Sequence, residues 1–290
     1  SPLVPYVIIS YMPLTNILRA LVNLSQALNF NLRTDLQGSN RITQVGVSLE
    51  TFVKDAFCGS LSIEDLTAKE VAHREKLSYI GNANNPPDFI ISAGDAVEVK
   101  KIERVNSPLA LNSSYPKDKL YNDDQLITEA CRQCEPGWTV KDFMYAVGVV
   151  QGDNLSSLFF VQGDCYAANR EVYQRTREKI ISGVRQAEGT DFSETNEIGR
   201  VNKVDPLGIT YLRIRGMWGI ENPRKVFERL NLVSREDRPL IAALMLRTKF
   251  DSFSEEDRQA ITAIASRMED IKIANPNNPA QTLDAKLIVL

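Results

Sequence analysis

The feature that most limits how this chain can fold is a pair of short apolar runs on either side of residues 92–95. Residues 89–91 and 96–100 are rich in strand-forming side chains, and the SAGD segment between them has the chemistry of a hairpin turn. Side chains alternate along a strand, so the two valines of the second run share one face while Glu98 and Lys100 share the other. The sequence therefore predicts a hairpin with one apolar face and one charged face.

The other apolar patterns switch between the helical and the extended period, which predicts an α/β chain with a mixed sheet. Helices are expected over residues 13–32, 48–58, 63–77, 170–187 and 254–268, with a short one after residue 223. Further strands are expected over residues 143–150, 158–162, 209–214 and 240–246. Thr15 or Asn16 is placed to cap the first helix. Ser48 is placed to cap the second, which Gly59 would end.

The size of the chain, 290 residues, suits one large domain or two smaller ones. The polar stretch 189–206 is the expected seam, and it divides the chain into residues 1–188 and 189–290. Four cysteines are too few for a disulfide scaffold, which favours a reducing compartment. The apolar start of the chain lacks a basic region and is interrupted by prolines and polar residues. We therefore expect no signal peptide, no membrane span and a cytoplasmic location.

Asp88 lies just before the first strand and adds a second carboxylate to the hairpin. If the register makes it face Glu98, one face presents two carboxylates and the Lys100 ammonium. Hydrolysis of a phosphodiester is helped by a metal ion that neutralises the phosphate and lowers the pKa of an attacking water. Mg²⁺ takes oxygen ligands, often one or two carboxylates, and the Val99 carbonyl is a further candidate ligand. The pattern therefore indicates Mg²⁺-dependent phosphodiester hydrolysis.

The alternative is a surface hairpin in which Glu98 and Lys100 form an ordinary ion pair. Ile90, Ile91 and the valines of the second run argue for central strands instead. Charged groups on buried strands are costly unless they pair or bind a ligand. This argument favours the functional interpretation.

Glu50 is a fourth candidate, in the first turn of the helix that Ser48 would cap. From there it can hold a second metal ion or a metal-bound water. The alternative is a solvated glutamate favoured by the helix dipole, and the sequence leaves both interpretations open.

The histidine content and the missing motifs exclude several other enzyme classes. The one histidine, His73, lies in a charged helical segment, where we expect it on the surface, and no motif around it supports a histidine base. Neither G-x-x-x-x-G-K-[ST] nor G-x-G-x-x-G occurs, so no nucleotide cofactor is expected. A net charge of −3 is unusual for a nucleic-acid binder, but the local potential matters more than the sum.

The order of Glu50 on a helix, Pro87-Asp88 and then Glu98-Val99-Lys100 resembles the PD-(D/E)XK nuclease superfamily. The segments NANNPPDFI, AVEVKKIE, LALNSSYPKDKLY and LRIRGMWGIENP are similar to type II restriction endonucleases of the NgoPII type, which cut GGCC.

The resemblance implies a PD-(D/E)XK nuclease-like core, with a mixed central sheet flanked by helices and with additional helical and DNA-recognition elements. It implies Mg²⁺ dependence, a homodimer and a palindromic double-stranded DNA target. It puts metal binding on Asp88 and Glu98 and the catalytic lysine at Lys100, and it leaves Glu50 unsettled. Residues 1–188 would then hold the N-terminal helices and catalytic core, and residues 189–290 a recognition and dimerisation subdomain packed on the same core.

Two stretches are candidates for DNA contact. Arg213 and Arg215 alternate on one strand beside Trp218, and arginine is a favoured partner of guanine in the major groove. Their alternative is an exposed edge strand with solvated side chains. A second set follows the catalytic strand and is suited to phosphate contacts, with a solvated loop as its alternative. Its members are Ser113, Ser114, Tyr115, Lys117 and Lys119.

Two rival functions remain at this stage. A repair or recombination nuclease with the same core would recognise a DNA structure instead of a sequence. A non-catalytic DNA-binding protein could keep the fold, although an intact Asp-Glu-Lys set argues against it.

Overall fold

The strands in the described part of the chain form one long sheet and two small ones. This computed structural model describes residues 13–32, 41–82, 84–187, 191–195, 198–233 and 237–290, without the side chains of 41–48. The strands are β1 (Leu77–Asn82), β2 (Asn85–Ile91), β3 (Ala96–Ile102), β4 (Leu109–Asn112), β5 (Lys119–Tyr121), β6 (Val140–Gln151), β7 (Asn154–Gln162), β8 (Asp191–Glu194), β9 (Gly199–Asn202), β10 (Leu212–Ile214), β11 (Trp218–Ile220), β12 (Leu240–Leu246), β13 (Arg267–Asn275) and β14 (Asn278–Val289).

The helices surround this sheet system. They are α1 (Ile17–Ser25), α2 (Arg41–Cys58), α3 (Leu66–Lys76), α4 (Glu129–Arg132), α5 (Gly163–Tyr166), α6 (Arg170–Arg185), α7 (Pro223–Val226), a short 3-10 helix (Glu228–Leu230), α8 (Arg247–Ser252) and α9 (Glu255–Ile264). None of the helices in the described residues is long and apolar enough to cross a membrane. Residues 1–12, which carry part of the apolar start, lie outside the described residues.

The long sheet has the strand order β1-β2-β3-β6-β7-β12-β14-β13, with β5 added at β6. β3 is parallel to β6 and β7 is parallel to β12, whereas the other neighbours are antiparallel. β6 and β7 are central, and their sequences are nearly continuous apolar runs, as expected for strands covered on both faces. The predicted mixed sheet flanked by helices is therefore confirmed.

The two faces of the long sheet bury separate apolar clusters. On β6, Met144 and Ala146 belong to the first cluster, while Tyr145 and Val147 belong to the second. Helices α1 and α2 contribute buried leucines, Val53 and aromatic rings to the first cluster. The β2–β3 hairpin, which carries the predicted catalytic residues, lies between these layers, because β2 and β3 continue the same sheet.

The start of helix α2 differs from the expected start at residue 48. It begins at Arg41, so Ser48 lies inside the helix and does not cap it. Val45 precedes Leu49 by one helical spacing, so the apolar period continues upstream of the serine. Gly59 follows the last turn with φ of +70°, the conformation for which glycine is suited at a helix end. The Asn16 cap on α1 is confirmed, since its side chain accepts from two helix amides.

The C-terminal hairpin was not expected from the sequence. The helix predicted to reach residue 268 ends at Ile264, and β13 and β14 then pair along their length. A period-2 apolar pattern is present in this hairpin, because Ile271 and Ile273 alternate with polar residues on β13, as Leu283 and Ala285 do on β14. The first five residues of β14 are exposed. β14 also pairs with β12, so residues beyond the expected seam at 189–206 complete the long sheet.

The polar cluster around Asp55 connects α2 to α3. The Asp55 carboxylate accepts from Lys69 Nζ at 2.6 Å, from Ser60 Oγ at 2.7 Å and from His73 Nε2 at 2.8 Å. His73 is buried, which corrects its expected place on the surface. Its imidazole has the polar partner that a buried ring requires.

We expect the Asp55→Asn variant to lower the free energy of unfolding at pH 7 by about 1–3 kcal/mol. Burial alone would raise the pKa of Asp55, but hydrogen bonds from His73, Lys69 and Ser60 outweigh it and lower the pKa below 3.8. The stabilisation is therefore complete above the unfolded pKa and is lost as the pH falls through the lower, folded pKa. Urea denaturation between pH 3 and 7 measures this difference. A difference that stays constant over this range would assign the effect to packing instead of charge.

Candidate active site

The β2–β3 hairpin sets the positions of the predicted catalytic side chains. Phe89 pairs with Val97 and Ile90 pairs with Ala96. One further step of this antiparallel register places Asp88 opposite Glu98. The sequence did not determine this register. In the observed register the carboxylates of Asp88 and Glu98 are on the same face of the hairpin. The Val99 amide donates to Asp88 Oδ2 at 2.6 Å, which ties the carboxylate to β3.

The charged face of β3 carries Glu98 and Lys100. Lys100 Nζ lies 2.7 Å from Glu98 Oε1. Val97 and Val99 lie against the first apolar cluster, as the alternation predicts. Glu98 Oε2 is buried and has no hydrogen-bond partner among the described residues. A buried carboxylate oxygen without a donor is costly, and it marks a position where a cation would be stabilising.

The electrostatics of the face follow from its crowded carboxylates. Burial, followed by the charges of Glu98 and Glu50, raises the pKa of Asp88 well above its ordinary value. Burial would lower the pKa of Lys100, but the charge and hydrogen bond of Glu98 outweigh it and raise that pKa. Lys100 is therefore an ammonium at neutral pH, and an added cation would relieve the repulsion around Asp88.

Glu50 lies on α2, the helix that packs against the Val97 side of β3. Because α2 begins at Arg41, Glu50 lies in the middle of the helix, and the expected first-turn position is wrong. Its carboxylate pairs with Lys54 Nζ at 2.9 Å, one helical turn further on. The negative charge of Glu50 contributes to the raised pKa of Asp88.

The donor set fits a hard divalent cation that keeps part of its water shell. Among the described residues, no three His, Cys, Asp or Glu side chains are grouped as a ready-made metal cage. Mg²⁺ commonly takes one or two carboxylates and leaves its other positions to water and phosphate. Asp88 and Glu98 can supply those carboxylates. The Val99 carbonyl points to the same side of β3 as its amide, toward Asp88, because both groups of one strand residue share a side.

The two stretches expected to contact DNA come together in the fold. β4 pairs with β11, and Trp218 lies opposite Asn112, next to the Ser113-Ser114 turn. Tyr115 stacks on Tyr173 at 5.7 Å between ring centroids, and Tyr173 meets the Trp218 ring edge to face at 5.5 Å. Segments separated by a hundred residues therefore share one aromatic cluster beyond the catalytic strand.

Lys117 does not have the exposed position that was expected of a phosphate contact. It is only 1% exposed, and its ammonium forms an ion pair with Asp124 and lies 4.0 Å from the centroid of the Tyr115 ring. Its backbone amide donates to Tyr145 Oη at 2.7 Å. The side chain is thus a buried structural group, because its charge is already neutralised in the interior.

Lys119 also has a structural position. Its ammonium lies 2.8 Å from carboxylate oxygens of both Asp142 and Asp164. Asp142 in turn pairs with Lys249, which also bonds to Asp95. The two carboxylates compensate the charge of Lys119, and its expected phosphate contact stays a prediction.

Arg213 and Arg215 lie in exposed positions at the small β8–β9–β10 sheet. Arg213 is on β10, directly opposite Arg200 on β9. Arg200 was not among the expected contact residues. Arg200 becomes a candidate only through its pairing with Arg213, and the sequence does not specify which residues of these strands pair.

Comparisons with known proteins identify the family of this chain. A family model described as NgoPII restriction endonuclease matches residues 15–277. The type II restriction enzyme NgoPII of Neisseria gonorrhoeae is 45% identical over 275 residues, which cover 94% of this chain and 98% of that protein. No solved structure matches the chain. These matches confirm the resemblance to restriction endonucleases of the NgoPII type, and the chain belongs to the NgoPII restriction endonuclease family.

Proposed function

We propose that this protein is a Mg²⁺-dependent endonuclease with a PD-(D/E)XK core that cuts double-stranded DNA at GGCC. The observation that carries the proposal is the hairpin register that sets Asp88 against Glu98, with Lys100 bonded to Glu98 on the same face. Membership in a restriction endonuclease family supports DNA as the substrate. GGCC is the site that the resemblance to NgoPII-type enzymes implies.

In this proposal Asp88 and Glu98 hold the cation, with the Val99 carbonyl and Glu50 as further candidates. When bound, Mg²⁺ neutralises the scissile phosphate and lowers the pKa of the attacking water. Asp88 is fixed by the Val99 amide, so its carboxylate is oriented before DNA arrives.

Lys100 acts as a cation in this scheme. The charge and hydrogen bond of Glu98 raise the pKa of Lys100, which favours its protonated form. Its ammonium orients the attacking water or stabilises the charge that grows on the phosphate oxygens. Lys54 holds Glu50 through their 2.9 Å ion pair.

The proposed assembly is a homodimer. A palindromic duplex has two-fold symmetry, so two copies related by a two-fold axis can each cut one strand. In this arrangement residues 1–188 supply the catalytic core, and residues 189–290 supply recognition and dimer contacts.

Digestion of a DNA of known sequence tests the proposed function. With Mg²⁺ we expect discrete fragments whose sequenced ends all derive from GGCC, and with EDTA we expect intact DNA, because the carboxylates then lack their cation. Cutting at junctions or damaged sites would favour a repair nuclease. Intact DNA at every Mg²⁺ concentration would favour a non-catalytic binding protein.

A further inference from the structure

The small β8–β9–β10 sheet places two arginines directly opposite each other. Arg213 on β10 pairs with Arg200 on β9, and Arg200 pairs with Ser193 on β8. Residues paired across antiparallel strands project from the same face.

The face that carries these arginines is polar and ordered. The Arg200 guanidinium lies 3.6 Å from the centroid of the Tyr211 ring, a cation–π contact that restricts its orientation. Asn202 donates to Ser193 Oγ at 3.2 Å on the same face. We call the set of Ser193, Arg200, Asn202 and Arg213 the arginine face.

The opposite face of this sheet is apolar and partly exposed, since Leu212 is 57% exposed. Phe192, Val201 and Leu212 share it through the same register. Phe192 lies over Gly199 so closely that a Cβ at position 199 would be 2.1 Å from a ring carbon. The Phe192 ring therefore packs on β9 on the side opposite to the arginine face.

The charge of this segment differs from that of the whole chain. Residues 198–215 contain four basic side chains and one acidic one, Asp205, in a chain of net charge −3. The Asp205 carboxylate accepts from the Thr210 amide at 2.6 Å, so it is used to order the turn between β9 and β10. The neighbouring strand β8 carries two acidic side chains, Asp191 and Glu194, which pair with Lys203 and with Arg185 on α6. The arginines of the segment can complement a polyanion.

We propose that the arginine face enters the major groove of DNA and that Arg200 and Arg213 contact guanines on neighbouring base pairs. The inference rests on the proposed function and names its specificity element. The major groove admits a β-ribbon, and arginine is the commonest bidentate partner of guanine O6 and N7. A GGCC half-site presents two adjacent guanines on one strand, which matches two arginines on adjacent strands.

The experiment compares cleavage by wild type, Arg200→Ala and Arg200→Lys on a GGCC duplex and on duplexes with one guanine replaced. For Arg200→Ala we expect the cleavage rate on the GGCC duplex to fall by about tenfold to a hundredfold. On the duplex that lacks the guanine contacted by Arg200, we expect little change in rate. Discrimination against that site then falls by the same factor. Arg200→Lys keeps the charge but not the bidentate fork, so we expect it to lose discrimination as well. Arg74→Ala, which removes an exposed arginine on α3, is the matched control and should behave as wild type.

Two results would overturn the inference. One is an Arg200→Ala variant with wild-type rates on every duplex. The other is uniform weakening on all sites with a salt slope reduced by about one, which indicates a phosphate contact. A wild-type protein that cuts no GGCC duplex would instead overturn the proposed function, and this inference with it.

Discussion

Replacing Lys100 by alanine is expected to slow DNA cleavage by about 100- to 10,000-fold while leaving DNA affinity nearly unchanged. The Lys100 ammonium lies 2.7 Å from Glu98 Oε1 on the charged face of β3. Its action on the water or on the scissile phosphate matters most when charge develops in the transition state. Binding uses many contacts elsewhere on the DNA, so the loss of one ammonium should change the rate much more than the affinity.

The matched control for this variant is Lys272→Ala. Lys272 is exposed on β13 and pairs with Asp284 at 2.7 Å, so its removal deletes a lysine of the same chemistry from outside the candidate active site. Circular dichroism of both variants checks the fold, because Lys100→Ala also removes the partner of a buried glutamate. An equal loss of rate and affinity in Lys100→Ala would make this residue a DNA-positioning group instead of a catalytic one.

Replacing Asp124 by alanine is expected to lower the free energy of unfolding by about 3–5 kcal/mol, the usual cost of leaving a buried charge without its partner. Asp124 pairs with Lys117 in the interior, and both side chains are 2% exposed. Asp124 also accepts from Tyr115 Oη at 3.1 Å. The variant therefore leaves the Lys117 ammonium in a low-dielectric site without its carboxylate partner, over the Tyr115 ring.

Equilibrium denaturation in urea measures this loss. The exposed ion pair between Lys272 and Asp284 supplies the control, since Asp284→Ala should change the free energy of unfolding little. Adding Lys117→Met to the Asp124→Ala variant should recover part of the loss, because the uncompensated charge is then gone. Wild-type stability in Asp124→Ala, together with weaker and less salt-dependent DNA binding, would return Lys117 to the expected phosphate contacts.

The catalytic hairpin can be predicted from sequence because its signals are local. The turn at residues 92–95 separates the strands by only four residues, so the alternation on β3 fixes which side chains share a face. The burial of Val97 and the Glu98–Lys100 contact both follow from that alternation. The mixed sheet can also be predicted from the sequence, since the long apolar runs of β6 and β7 are typical of central strands.

Features that depend on distant partners cannot be read in this way. The position of Lys117 in the interior depends on a loop that brings Asp124 to it, and its sequence neighbours suggest a solvated basic loop. The pairing of Arg200 with Arg213 depends on strand register across a turn of nine residues. The start of α2 shows a conflict of local signals, in which the helical period overrides the capping preference of Ser48.

The most direct test of the active-site assignment measures cleavage and binding on the same GGCC duplex for wild type and Lys100→Ala. Single-turnover rates are measured with Mg²⁺, and Kd is measured with Ca²⁺, which takes the same class of oxygen ligands. We predict Mg²⁺-dependent cutting by wild type, a rate lower by about 100- to 10,000-fold for the variant, and the same Kd for both. Cleavage by Lys100→Ala at the wild-type rate would contradict the assignment of Asp88, Glu98 and Lys100 as the active site.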